Sequence, residues 1–174
     1  MKVKLLLLIP LLVLAIGLGM PSGPAAADGA NHVYFTATSV HLCSPENQDP
    51  RCNGGTLTPL PNGKFFLTGW VNVIEFTAED PRWTAECIFT GDPFPPANPN
   101  AYPVNGSFVC TPTDPNYANG WWEGTVNEVL MPDRWIAEFR AKGYGDFDRL
   151  ITISRNTMHN TNEIEIIELP GYQP

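Results

Sequence analysis

The feature that most limits the fold is punctuation: short β-rich stretches are cut at near-regular intervals by strong turn signals, and no helical apolar period is sustained. Segments enriched in Val, Ile, Thr, Phe and Trp run over 32–43, 64–77, 82–90, 106–111, 121–130, 134–143, 147–157 and 163–169. Between them stand Pro61-Asn62-Gly63, Glu79-Asp80-Pro81, Gly91-Asp92-Pro93, Asp114-Pro115-Asn116, Met131-Pro132-Asp133 and Gly143-Tyr144-Gly145. Five prolines fall within 91–105; they block ladder bonding, so this stretch reads as a loop inside one domain. With 174 residues and 43% apolar content the chain can bury a proper core, which excludes a disordered class.

Two segments point to a barrel. In 64–77 both alternating faces are partly apolar, and Gly69 at mid-strand marks a bend of the kind a closing sheet needs. In the segment 135–141, Trp135, Ala137, Phe139 and Ala141 point one way while Glu138 and Arg140 point the other. Small residues alternating with aromatics suit a tapering barrel interior. The expected fold is all-β, a single antiparallel barrel of about eight strands over 28–174, with a two-sheet β-sandwich as the alternative.

Residues 1–27 read as a signal peptide. Lys2 and Lys4 precede a 16-residue apolar run from Leu5 to Met20, short of the roughly 20 residues a spanning helix needs. Ala25-Ala26-Ala27 offers the small side chains a signal peptidase accepts, so cleavage after Ala27 is expected, with a secreted or periplasmic product and no membrane attachment afterwards. Losing two lysines and no acid moves the formal charge from −8 to −10. So acidic a domain, with scattered arginines, repels phosphate backbones, and nucleic acid is excluded as a partner. All four cysteines lie in the exported part, as structural disulfides do. Spacing favours Cys43–Cys52 across a turn-rich loop and Cys87–Cys110 between apolar faces of consecutive strands. Without a CxxC motif, and with His32, His41 and His159 dispersed, no metal or other cofactor is expected.

Thr58-Pro-Leu-Pro-Asn-Gly63, Asp80-Pro-Arg-Trp83, Trp122-Glu-Gly-Thr125 and Ala141-Lys-Gly-Tyr-Gly145 occur in succession. That succession resembles small exported bacterial proteins whose eight-stranded barrel is similar to allene oxide cyclase and dirigent proteins. The resemblance covers about residues 55–157 and implies a barrel. It also implies an alternative activity, a cofactor-free cyclase- or dirigent-like enzyme acting in the barrel cavity. The plant relatives often continue the last motif with small residues, where this chain has Phe147-Asp148-Arg149. Their cavity acids map to no position here, so no catalytic residue is carried over.

Chemistry-bearing motifs are few. No nucleophile elbow, P-loop, HExxH or EF-hand loop is present. Glu75 shares a face with Leu67, Val71 and Val73, and a carboxyl in apolar surroundings can serve as a general acid, which makes it the catalytic candidate. Asp146 and Asp148, and Glu46 and Asp49, read as solvated acidic loops, and Asn105-Gly106-Ser107 as a turn. Aromatics carry the stronger signal. Trp121 and Trp122 occupy adjacent strand positions and must face opposite sides, so one packs and the other can stack on a ligand. Trp70 and Tyr144 join them as ligand-binding candidates. The expected function is non-enzymatic binding of a small apolar or carbohydrate ligand. A structural protein with a filled barrel is the third reading, and the oligomeric state is left open.

Overall fold

The computed structural model describes residues 29–61, 65–93, 102–131, 135–158 and 160–173. The signal segment with its cleavage point, the turns at 62–64 and 132–134, the proline-rich 94–101 and the Trp135 side chain lie outside the described residues. The described part holds β1 (Asn31–His41), β2 (Asn53–Pro59), β3 (Phe65–Ala78), β4 (Ala85–Pro93), β5 (Tyr102–Pro112), β6 (Trp121–Leu130), β7 (Trp135–Tyr144), β8 (Leu150–Met158) and β9 (Thr161–Glu168). Every pairing is antiparallel.

Strands β3 to β9 form a meander, β9 pairs with β1, and β1 pairs with β3. That last ladder, Ala37–His41 against Ile74–Ala78, closes an eight-stranded barrel and rules out the two-sheet sandwich. The ninth strand is an addition. One edge of β3 bonds to β4, while the other bonds to β1 over its second half and to β2 over Phe65–Val71. β1 and β2 therefore run in line along one edge, interrupted by residues 42–52. The Cys43–Cys52 disulfide closes that excursion. Gly69, on the part of β3 paired with β2, has φ +68°, a value that favours glycine.

Several expected boundaries move. The strand β2 was not anticipated, because Asn53-Gly54-Gly55-Thr56 looks like turn sequence and its side chains are mostly exposed. The strands around the proline-rich stretch are longer than expected, β4 reaching Pro93 and β5 starting at Tyr102, so Asn105-Gly106-Ser107 sits in a strand rather than a turn. Pro81–Trp83 and Gly145–Phe147 form 3-10 turns, with Asp80 capping the first by accepting from the Arg82 amide.

The core fills one end of the barrel. Trp83, Trp122, Phe147 and Leu150 are fully buried there, with Trp122 ring centroids 5.5 Å from Trp83 and 4.8 Å from Phe147. Trp122 Nε1 donates to the Arg82 carbonyl at 2.9 Å, so this indole also satisfies a turn backbone. The Arg82 guanidinium pairs with Asp80 and Glu168, each at 2.6 Å. Above this plug, Phe89, Phe108 and Phe139 meet at 5.2–5.8 Å across β4, β5 and β7. No helix of the described residues is long and apolar enough to cross a membrane.

Cys87 and Cys110 face each other across the β4–β5 ladder, are fully buried and form the second disulfide. On loop entropy alone, Cys87→Ala/Cys110→Ala should lose about 3.4 kcal/mol, and Cys43→Ala/Cys52→Ala about 2.7 kcal/mol. Urea denaturation of both double variants checks this; an equal or reversed order would show that strain or denatured-state structure dominates.

Candidate functional site

The other end of the lumen is polar. Alternation along each strand puts Ser39 and His41 on the inner face with Ala37, and Asn72 with Ile74 and Phe76. On β6, Glu128 follows Trp122 and Val126 inward; on β8, Thr152, Ser154 and Asn156 follow Leu150; on β9, Asn162 precedes Ile164 and Ile166. Ser39, Thr152, Ser154 and Asn162 are 1% exposed or less.

Hydrogen bonds satisfy only part of this group. Asn72 Nδ2 lies 3.2 Å from His41 Nδ1, and Asn162 Nδ2 donates to Ser39 Oγ at 3.4 Å. Asn72 Oδ1, Asn162 Oδ1, Ser154 Oγ and Thr152 Oγ1 are buried without a partner among the described residues. Each such atom costs about 1–3 kcal/mol unless something fills its valence. Asn72 and Asn162 lie at the polar end, whereas Thr152 pairs with Ala141 and Ile166, and Ser154 with Phe139 and Ile164, at the level of the apolar core.

Among the described residues, two titratable groups face this space. β1 and β6 stand four strands apart in either direction round the barrel, so His41 and Glu128 project from opposite walls. The ladder from Glu128 reaches Ala37 one way round and runs past His41 the other way. Strand tilt thus sets the two residues at about one height. Burial pushes the Glu128 carboxyl up to about 7. Burial also lowers the His41 pKa from its ordinary value, which keeps the imidazole neutral at neutral pH. A neutral base opposite a carboxyl that changes charge near pH 7 can exchange protons with a bound molecule.

Trp70 stands half-buried on the same inner face, beyond Asn72. A methyl placed on Gly91 would lie 3.5 Å from Trp70 Cε3 and 2.9 Å from Val104 Cγ1, so the indole reaches over Gly91 toward Val104. Val104 is the cross-strand partner of Glu128. Trp70 and Glu128 consequently flank one apolar residue of the wall.

The remaining sequence candidates separate. Trp121 and Trp122 part as strand alternation requires: Trp122 is buried in the plug, whereas Trp121 is 36% exposed outside. Trp121 stacks on Tyr144 at 5.4 Å and 11°, with its Nε1 donating to Glu123 at 3.0 Å. Beside this stack, Ile88, Thr90, Ser107, Val109, Glu123 and Thr125 line an outer groove of about 660 Å³. Trp122 is thus a core residue, and the expectation that it contacts ligand gives way to its burial. Glu75 is exposed on the outer wall opposite Glu86, so the burial on which its acid role depends is missing. The apolar appearance of its face comes from Val73, which is covered from outside by the disulfide loop: Leu42 N–H donates to the Val73 carbonyl and Val73 N–H to Cys43 Sγ. The buried carboxyl is Glu128 instead. Its signal was present in the spacing Trp122, Gly124, Val126, Glu128. No described group of three or more His, Cys, Asp or Glu side chains is placed to hold a metal. No protein-family model, curated protein or solved structure matches this chain.

Two measurements check the site. Trp122→Ala should cost about 3–5 kcal/mol of stability and Trp121→Ala distinctly less, about 1–2 kcal/mol for its lost stacking and partial burial, by urea denaturation. For Glu128 the folded pKa lies above the unfolded one, so the folded state favours the protonated form. Relative to Glu128→Gln, the wild type should therefore lose on the order of 3 kcal/mol as pH rises from 5 through 7, then level off. A difference that is flat over this range would remove the buried carboxyl from the account.

Proposed function

We propose that the chain is an exported barrel that binds a small molecule in the polar end of its lumen, apolar on one side and hydrogen-bonding on the other. The observation that carries this reading is the half-buried Glu128 carboxyl on the inner face of the end where His41, Asn72 and Asn162 also point inward, with Asn72 Oδ1 and Asn162 Oδ1 left without a described partner. A bound polar group is one way to satisfy such atoms, which a filled, purely structural barrel leaves unmet. Both disulfides and the signal-like leader support export to an oxidising compartment.

A second reading rests on Glu128. A carboxyl that titrates near pH 7 opposite a neutral imidazole fits cofactor-free proton transfer, which supports the cyclase- or dirigent-like alternative together with the eight-stranded closure. The stacked Trp121–Tyr144 pair beside its hydroxyl-lined groove supports a separate, outer contact with a carbohydrate.

A fragment screen followed by amide shift mapping tests the lumen reading. Hits should perturb residues 41, 72, 128 and 162 together. Hits confined to 121, 123 and 144 would move the function to the outer groove, and no hit at either place would leave the barrel structural. Under the second reading, Glu128→Gln retains binding of a converted ligand and loses its turnover.

A further inference from the structure

The chain carries Asn-Gly four times, at 53–54, 62–63, 105–106 and 119–120. The pair at 62–63 lies outside the described residues. In such a pair the glycine nitrogen can attack the asparagine side-chain amide, because no Cβ shields it and its backbone turns freely. Asn53, Asn105 and Asn119 are all exposed, so access to water does not distinguish them. The backbone around each glycine does.

Gly106 lies in a central strand, opposite Gly91 of β4 and Val126 of β6, so its N–H meets a ladder on either side. A methyl placed on it would lie 2.3 Å from the Thr90 carbonyl oxygen, which leaves no room to rotate. Gly120 N–H donates to the Tyr117 carbonyl at 2.9 Å. Gly54 differs. Val73 directs both its carbonyl and its N–H to the β1–β2 side, where they meet Leu42 N–H and Cys43 Sγ. Alternation sends Val71 the same way and Trp70 the other, toward β4. Gly54, opposite Trp70, therefore turns its N–H away from β3. It points to the outer edge of β2, along which no described strand pairs.

The electrophile is prepared as well. Asn53 Oδ1 accepts from Gly55 N–H at 3.0 Å, and Gly55 holds this turn at φ +75°. As Gly54 N attacks Cγ, negative charge develops on Oδ1, where that N–H already points. We infer that Asn53 is a site of self-modification, deamidating ahead of the other described Asn-Gly pairs. Gly54 N bonds to Asn53 Cγ, the Cγ–Nδ2 bond breaks, and ammonia leaves with the Gly54 proton to give a succinimide. Water then opens the ring, at Cγ to give aspartate or at the main-chain carbonyl to give isoaspartate. Either product puts a carboxylate on β2, whose residues Asn53–Pro59 carry no charge. A charge on a free edge discourages pairing with a further strand.

The test incubates the folded, disulfide-bonded chain at mildly alkaline pH and follows each site by peptide mapping with tandem mass spectrometry. Asn53 and Asn62 share the tryptic peptide between Arg51 and Lys64, and fragmentation separates them. Asn53 should convert faster than Asn105 and Asn119 by about tenfold or more. In the reduced chain held in urea the three rates should converge, since the fold is what separates them. Gly54→Ala should slow Asn53 and keep the fold, because its methyl meets open space in the structure yet shields the nitrogen. Asn105 or Asn119 converting as fast as Asn53 in the folded chain overturns the assignment. So does a difference that persists in urea, which would trace it to local sequence, or a Gly54→Ala chain that reacts at the original rate.

Discussion

Five residue pairs between β1 and β3 turn a curved sheet into a barrel, and the rest of the molecule depends on that seam. Closure gives eight strands an inside, and alternation then sends every second side chain into it. It also removes the free edges that an open meander would expose, apart from the short β2 extension. The disulfide at Cys43–Cys52 lies where β1 leaves this seam, and Arg51 next to it pairs with Glu86 on β4, so the excursion is anchored on both sides. Seam and staple lie on one stretch of chain.

The two ends of the lumen are built by different chemistry. At one end the turns at Pro81–Trp83 and Gly145–Phe147 bring Trp83 and Phe147 against Trp122, the Tyr117 ring packs on Phe147, and the Trp122 indole N–H also satisfies the Arg82 carbonyl. Large aromatics there leave the interior no polar role. At the other end the inner positions pass to Ser39, His41, Asn72, Glu128, Asn156 and Asn162. Along β9 the inner positions run from Asn162 at this end to Ile164 and Ile166 further in. This switch from apolar to polar along the same strands is what the proposed lumen site rests on.

The fold was largely legible because strand alternation and turn residues are local signals. The opposite faces of Trp121 and Trp122 follow from adjacency alone, and Cys87–Cys110 from two apolar faces on consecutive strands. Glu75 misled because Val71 and Val73 make its face look internal; a loop eleven residues long, pinned by Cys43, covers that face from outside. No alternation rule contains that fact. The lumen site was missed for a related reason. His41, Asn72, Glu128 and Asn162 come from four strands spread over the whole chain, and only closure in the right register sets them round one space. β2 escaped notice because its pairing with β3, rather than its own side chains, makes it a strand.

The central claim is that one carboxyl, Glu128, sits in the wall of a lumen that desolvates it. Carbon-13 detection of the glutamate carboxyl groups across pH 3 to 10, with Glu128→Gln to identify the resonance, measures this directly. The account predicts a midpoint of about 7 for the resonance that disappears in the variant. A midpoint near the ordinary glutamate value of about 4.3 would place Glu128 in free solvent and contradict the buried polar lumen.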